Sequence, residues 1–188
     1  MDQPDRHFSK LTPYTHRVFA GDLAEQVGAL CYRKSLRGID ILLITTRQTK
    51  RWTIPKGWPC ANLKAYQAAE REAWEEAGVR GKIRKKTFGH YTYTKYMKDN
   101  EHVTSIVGVY LLEVRRERLK FPERDQRDLI WRHPREAAVL VQEPELKGLI
   151  LKLGRKWKAS ARSVADTCCQ LCGRVRYSGR RRRTPRYD

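Results

Sequence analysis

An Ala- and Glu-rich stretch in the first half of the chain constrains the fold most, because its helical pattern has clear ends. Residues 63–77 contain neither Gly nor Pro, and Gly78 follows them directly. Glycine just after a helical run is a common helix terminus, and Asn is a favoured N-cap residue. The sequence therefore predicts a helix over Leu63–Ala77, with Asn62 as its N-cap and Gly78 just past its last turn.

Three carboxylates share one face of this predicted helix. Glu72, Glu75 and Glu76 stand at i, i+3 and i+4, which places them on the same side of an α-helix. Like charges at these spacings destabilise a helix, so a bound divalent cation is the natural compensation. Arg71 lies four residues before Glu75 and can pair with it. The alternative is a solvated helix face, on which Glu and Arg serve helix propensity and surface pairing.

The rest of the chain mixes strand-like and helix-like patterns. Regular β-α-β alternation is absent, which argues against a doubly wound sheet and favours an α/β domain of the α+β kind with mixed strands. The predicted strands cover residues 26–33, 39–46, 51–54, 88–95, 104–114 and 128–132, and further predicted helices cover residues 134–141 and 146–157.

The positive charge is concentrated near the C-terminus. The chain has 40 Lys and Arg against 21 Asp and Glu, a net charge of +19 at pH 7. Residues 154–188 contain eleven of the basic and two of the acidic side chains, including four consecutive arginines at 180–183. We therefore expect an N-terminal extension (1–20), a folded domain (21–153) and a basic, flexible tail (154–188). A tail of this kind suits non-specific contact with nucleic acid through phosphates.

Hydrophobic patterning and cysteine usage indicate a cytoplasmic protein. No apolar run approaches the roughly 20 residues of a membrane helix, so we expect no membrane contact. The first ten residues lack the apolar stretch of a secretory signal. The five cysteines are an odd number, which is a poor basis for a disulfide framework. Oligomeric state cannot be read from these features.

A loop with a glycine precedes the acidic helix. Trp52–Gly57 reads as a strand that ends in Pro-Lys-Gly, and Gly57 allows the backbone to approach a ligand or metal closely. Arg71 follows fourteen positions later. Here the sequence resembles the Nudix hydrolases, whose box is G-x5-E-x7-R-E-U-x-E-E-x-G-U, where U is apolar. The matching positions are Gly57, Arg71, Glu72, Ala73, Glu75, Glu76, Gly78 and Val79.

The resemblance implies a fold and a metal site. It implies a Nudix fold, a mixed β-sheet sandwiched between helices, over residues 21–153. The three helical carboxylates would bind Mg²⁺ or Mn²⁺, the Gly57 carbonyl could add a ligand, and Arg71 would orient a carboxylate. Leu63 stands where the box has its first Glu. That Glu is generally structural in the family, so its loss leaves open a weakened enzyme or a Nudix-like module that only binds nucleotides or nucleic acid.

The implied reaction is metal-dependent hydrolysis of a phosphoanhydride bond. Glu75 and Glu76 are both candidates to take the proton from water, and the loop residues Glu101, Glu113 and Glu123 are further candidates. The Pro-Lys-Gly entrance resembles the branch that acts on dinucleoside polyphosphates and diphosphoinositol polyphosphates, which we expect as substrates in that order. The arginine tail keeps a second enzymatic alternative open, removal of pyrophosphate from RNA 5′ ends.

Basic and aromatic residues near the box are candidates for substrate contacts. Cationic side chains should hold the phosphates of a polyphosphorylated small molecule. Tyr91 and Tyr93 share one strand face and either stack a base or belong to the core. The candidate phosphate-binding residues are Arg33, Lys34, Arg47, Arg51 and Lys56.

Overall fold

The computed structural model describes residues 24–36, 38–96 and 102–157, which form eight strands and three helices. No helix within these ranges is both long and apolar enough to cross a membrane. In chain order the elements are β1 (Ala24–Ser35), β2 (Gly38–Thr45), β3 (Trp52–Thr53), β4 (Lys56–Gly57), α1 (Ala65–Ala77), β5 (Val79–Ile83), β6 (Gly89–Tyr96), β7 (His102–Glu117), β8 (Leu129–Arg132), α2 (Pro134–Leu140) and α3 (144–157).

The strands form one mixed sheet around β1. The order β3-β2-β1-β7-β5 runs across it, with β4 also paired to β1, β6 to β7 and β8 to β2. The pairing of β1 with β7 is parallel, whereas every other strand pair in this sheet is antiparallel. One parallel pair within an antiparallel sheet confirms the mixed strand arrangement that the sequence predicts.

Both faces of the central strands are buried, because helices cover both sides. Leu30 and Tyr32 of β1 join a core cluster with the apolar residues of α2 and α3. Ala29 and Cys31, which alternate with them, join a second cluster with Ala68, Ala69, Ala73 and Ala77 of α1. Successive side chains of a strand point to opposite faces, so this alternation gives a sheet between two helical layers. The predicted sandwich of helices around a mixed sheet is confirmed.

The start of α1 differs from the prediction. Its N-cap is Lys64 and not Asn62, and the helix begins at Ala65. The Gln67 side chain accepts a hydrogen bond from the Lys64 amide at 3.0 Å, which caps the first turn two residues later than expected. The predicted terminus is confirmed, since Gly78 has the left-handed conformation with φ of 67°.

Two short strands were missed by the sequence analysis. The strands β4 and β5 have no clear alternation in the sequence and are defined by their partners β1 and β7. Helix α3 runs past the expected domain end at residue 153, and the Trp157 ring lies 6.1 Å from that of Tyr32. The expected N-terminal extension 1–20 and residues 158–188 of the expected tail lie outside the described residues.

Candidate active site

The short strand β4 brings the glycine of the loop beneath the acidic helix. Gly57 pairs with Val27 and Lys56 with Gly28 of β1. The Pro55 carbonyl accepts a hydrogen bond from the Ala29 amide at 2.9 Å, which holds the loop against the sheet. A Cβ atom on Gly57 would stand only 2.3 Å from the Glu72 carboxylate. A larger residue at this position would therefore force the Glu72 carboxylate to move.

Arg71 holds two of the three carboxylates. Its Nη2 donates to Glu72 Oε1 at 2.9 Å, and its Nε lies 3.6 Å from Glu75 Oε1. Glu72 is only 8% exposed, so a charged partner offsets much of the cost of its burial. The i, i+4 pairing expected from the sequence is present, and Arg71 lies where it can orient both groups.

Glu76 is the most enclosed of the three carboxylates. It is 6% exposed, and its Oε2 accepts a hydrogen bond from the Lys56 amide at 2.9 Å. Its Oε1 accepts from Nη2 of Arg127. Burial raises the pKa of Glu76 to about 7, while the charge of Arg127 and the Lys56 amide act in the opposite direction. Glu76 thus has different partners from Glu72 and Glu75, which share Arg71.

Arg127 is the site residue that the sequence did not indicate. Its side chain is 8% exposed, and it also donates from Nε to Glu123 Oε2 at 2.9 Å and from Nη1 to the Thr45 carbonyl at 3.0 Å. In the sequence it is one of 40 Lys and Arg residues, with no motif around it. Only the pairing of β8 with β2 brings it to Glu76.

Lys56 links the carboxylates to the opposite face of the sheet. Its Nζ donates to the Tyr93 hydroxyl at 3.3 Å and lies 4.4 Å from the centre of that ring. The Tyr93 hydroxyl donates in turn to Oε1 of the buried Gln26 at 2.8 Å. Tyr91, by contrast, is 1% exposed within the core. Of the two tyrosines, only Tyr93 lies beside a predicted phosphate-binding residue.

Two other predicted phosphate-binding residues lie in the turn between β2 and β3. Arg47 donates from Nη1 to Gln126 Oε1 at 3.3 Å and lies 3.9 Å from Glu123, the partner of Arg127. Arg51 donates from Nη1 to Gln142 Oε1 at 2.9 Å, in the connection between α2 and α3. Arg47 therefore lies beside Glu123, whereas the partner of Arg51 belongs to the connection between α2 and α3.

The remaining two predicted phosphate-binding residues, Arg33 and Lys34, lie at the other end of β1. Arg33 stacks 4.2 Å from the Trp131 ring and donates to Glu117 at 2.8 Å, while Lys34 lies 3.9 Å from Glu113. Five residues of strand separate Arg33 from Gly28, a distance of about 16 Å. The structure does not bring Arg33 and Lys34 together with the carboxylates.

The three further candidates to take the proton from water also differ in their distance from the acidic helix. The Glu123 amide donates to the Glu75 carbonyl at 3.0 Å, so Glu123 lies beside the acidic helix. Glu113 was predicted in a loop but lies within β7, where it pairs with Lys34 at the far end of the sheet. Glu101 lies outside the described residues. Leu63, the departure from the box, packs against the core cluster beneath α1 and serves there as an apolar side chain.

The donor chemistry of the site fits a hard divalent cation. The Glu72 carboxylate lies against Gly57, and Glu76 accepts a hydrogen bond from the amide of the preceding Lys56. Mg²⁺ and Mn²⁺ prefer such oxygen ligands. Within the described ranges, no three Asp, Glu, His or Cys side chains are arranged as a metal site as they stand. Arg71 and Arg127 hold the carboxylate oxygens instead.

Comparisons with known proteins agree with this arrangement. Residues 22–153 match the NUDIX domain family. Nudix hydrolase 13, mitochondrial, of Arabidopsis thaliana is 25% identical over 154 residues, covering 79% of this chain and 75% of that protein. Diphosphoinositol polyphosphate phosphohydrolase 3-beta of Bos taurus is 28% identical over 89 residues, covering 47% and 54%.

A solved structure gives the same fold. The binary complex of a C. elegans Ap4A hydrolase superposes with a TM-score of 0.55 at 22% identity, covering 73% of this chain and 99% of that one. Because the family match spans more than half of the sequence, the chain belongs to the Nudix family of hydrolases.

Proposed function

We propose that this protein hydrolyses a phosphoanhydride bond of a polyphosphorylated small molecule with Mg²⁺ or Mn²⁺ as cofactor. The observation that carries the proposal is the close packing of the Glu72 carboxylate against Gly57, with the buried Glu76 beside the same strand. Glu72, Glu75, Glu76 and the Gly57 carbonyl would hold the cation. When bound, such a cation neutralises phosphate oxygens and lowers the pKa of coordinated water.

The protein's own residues supply orientation and a proton acceptor. Arg71 holds Glu72 and Glu75 in place from one side of the helix. The Glu75 side chain is 27% exposed to solvent, whereas Glu76 is buried. Glu75 is therefore the better placed of the two to take the proton from the attacking water. Lys56, with Arg47 and Arg51 beyond it, provides positive charge for the phosphates that do not react.

We place dinucleoside polyphosphates first and diphosphoinositol polyphosphates second as substrate classes. Several cations around one group of carboxylates suit a substrate with many phosphates. The bovine relative, named as a diphosphoinositol polyphosphate phosphohydrolase, supports the second class at 28% identity. The tyrosine that contacts Lys56 would add an aromatic surface next to the phosphates, which suits the nucleoside of the first class.

Product release from a substrate panel tests this proposal. The panel holds diadenosine tetraphosphate and hexaphosphate, a diphosphoinositol phosphate, ADP-ribose, nucleoside triphosphates and triphosphorylated RNA, each with EDTA, Mg²⁺ or Mn²⁺. We expect metal-dependent turnover, fastest with a diadenosine polyphosphate. Equal turnover in EDTA would exclude the metal role, and fastest turnover of a substrate without a polyphosphate chain would exclude the substrate class.

The basic C-terminal segment favours a second candidate, the removal of pyrophosphate from RNA 5′ ends. Nearly half of the net charge of +19 lies in residues 154–188. Because Trp157 packs against Tyr32, the informative truncation removes residues 158–188 and keeps α3. An enzyme for small molecules keeps its turnover after this deletion. An RNA enzyme loses affinity for triphosphorylated RNA together with most of its salt dependence.

A third candidate is a Nudix-like binding module without turnover. Leu63 favours it, because the box has an acidic residue at that position and this chain has an apolar one that packs in the core. Turnover on the same substrate panel distinguishes a binding module from an enzyme. A folded protein that binds Mn²⁺ and nucleotides but hydrolyses nothing would make the binding module the leading function.

A further inference from the structure

Arg127 brings a second buried guanidinium to the acidic helix, from outside that helix. Arg71 lies on α1 itself and contacts Glu72 and Glu75. Arg127 comes from the segment just before β8 and contacts Glu76, the third carboxylate of the helix. The three carboxylates are thus divided between two arginines on different elements.

The three donor directions of the Arg127 guanidinium are all used. Nη2 donates to Glu76, Nε to Glu123 at 2.9 Å and Nη1 to the Thr45 carbonyl at 3.0 Å. A planar guanidinium presents its donors in a fixed fork, which a lysine ammonium cannot reproduce. The contact with Glu76 therefore has a defined direction as well as a charge.

The backbone of Asp128, directly after Arg127, is itself tied to β2. The Thr45 amide donates to the Asp128 carbonyl at 3.0 Å, and the Asp128 amide donates to the Thr45 hydroxyl at 2.9 Å. Thr45 is buried, so these bonds are sheltered from water. Through them the position of the guanidinium is set by the central sheet rather than by a loop alone.

The geometry points to Arg127 as a positioning residue that holds the Glu76 carboxylate, and with it Glu123, in the orientation needed to bind the divalent cation. The inference rests on the proposed function, because it assumes that Glu76 is a metal ligand. It gives the segment before β8 a part in metal binding that the Nudix box does not contain. Groups that orient metal ligands commonly contribute about ten- to a hundredfold to metal affinity.

A charge-conserving substitution of Arg127 distinguishes its effect on the orientation of Glu76 from the effect of its positive charge. In Arg127→Lys the positive charge stays while the fork is lost, so electrostatic repulsion of the cation is nearly unchanged. Arg124→Lys is the matched control, since Arg124 is exposed, lies three residues away and has its guanidinium 5.8 Å from the Phe121 ring. Mn²⁺ affinity is measured for both variants and the wild type by electron paramagnetic resonance of free Mn²⁺, with circular dichroism to establish folding.

We expect Arg127→Lys to bind Mn²⁺ about tenfold more weakly, with Arg124→Lys equal to wild type. In Arg127→Ala, added methylguanidinium should restore much of the affinity, whereas methylammonium should not. Turnover should fall in Arg127→Lys with little change in the KM of the substrate, because the phosphate contacts remain.

Two results would overturn the inference while leaving the proposed function intact. Wild-type Mn²⁺ affinity in folded Arg127→Lys and Arg127→Ala, with only a lower melting temperature, would mean a purely structural arginine. Tighter Mn²⁺ binding would mean that Arg127 competes with the cation. If the wild-type protein itself binds no Mn²⁺, the proposed metal site fails and the inference fails with it.

Discussion

At the scale of single residues, the main feature of the site is that two negatively charged side chains are buried. Glu72 and Glu76 are 8% and 6% exposed, and an unpaired carboxylate at such positions is very costly. Arg71 and Arg127 each supply a charged partner, and Lys56 adds a backbone amide. The carboxylates are therefore held in place before any cation binds.

The first prediction concerns the two carboxylates that we propose as candidates to activate the attacking water. Glu75→Gln and Glu76→Gln should each lower turnover by about a hundredfold or more, because each weakens activation of the attacking water. Glu70→Gln is the matched control, since it makes the same change on the same helix outside the carboxylate cluster. Turnover is measured on the best substrate of the panel, with circular dichroism as the test of folding. Wild-type rates in both site variants would refute the assignment.

The second prediction uses the glycine of β4. In Gly57→Ala the new methyl group would stand 2.3 Å from the Glu72 carboxylate and must push it away. Displacing a reacting group by about an ångström can cost a hundredfold in rate, so we expect a loss of about that size together with weaker Mn²⁺ binding. Isothermal titration with Mn²⁺ and steady-state kinetics measure the two effects. Unchanged Mn²⁺ affinity would show that the cation does not lie next to Gly57.

At the scale of elements, the ends of α1 decide how the acidic helix meets the sheet. Gly78 ends the helix in the left-handed conformation, and its carbonyl accepts a hydrogen bond from the Arg118 amide at 2.9 Å. The chain then enters β5 directly. The helix is therefore anchored at its C-terminus, two residues beyond Glu76.

The third prediction compares two glycines of different environment. In Gly78→Ala the backbone stays at a φ of 67°, and the methyl group would lie 2.3 Å from Cδ1 of Phe121. We expect the free energy of unfolding to fall by at least about 2 kcal/mol. Gly148→Ala lies in α3 with nothing within 4 Å of the new methyl group, so helix propensity should raise stability by about 0.5–1 kcal/mol.

Urea unfolding of the two variants beside the wild type measures both changes. Opposite signs are expected from the same chemical substitution, which removes any common effect of the added methyl group on the unfolded chain. A Gly78→Ala protein as stable as the wild type would contradict the left-handed helix terminus.

At the scale of the whole molecule, the sheet is sealed on both faces. The strand β1 places Leu30 in the core cluster of α2 and α3 and Cys31 in that of α1, and both side chains are fully buried. Side chains at the centre of such a sheet reach solvent only when the domain opens as a unit.

The fourth prediction uses Cys31 as a reporter of that opening. Burial, with a smaller contribution from the charge of Glu76, raises the pKa of the Cys31 thiol, and the thiolate is the reactive form. Cys31 should therefore resist N-ethylmaleimide in the native protein and react only in urea, whereas the half-buried Cys60 should react much sooner. Pulse labelling followed by peptide mass mapping distinguishes the sites. Equal labelling of Cys31 and Cys60 in native protein would contradict the sealed core.

What the sequence determined by itself is local. The helix of α1, its glycine terminus, the shared face of Glu72, Glu75 and Glu76 and most strands follow from spacings of a few residues. Periodicity and i, i+4 pairing act within one or two turns or one strand, so they are visible without the fold. The resemblance to the Nudix box also depends only on such spacing.

What the tertiary structure alone decided is which distant side chains meet. Arg127 reaches Glu76 across 51 positions because β8 pairs with β2, and Lys56 reaches Tyr93 across 37 because β4 and β6 join the same sheet. The same strand geometry places Arg33 about 16 Å along β1 from Gly28, the partner of Lys56, although the sequence offered Arg33 and Lys56 alike as phosphate-binding candidates. Strand pairing between remote segments leaves no periodic trace in either segment, and for that reason only the folded chain reveals these partners.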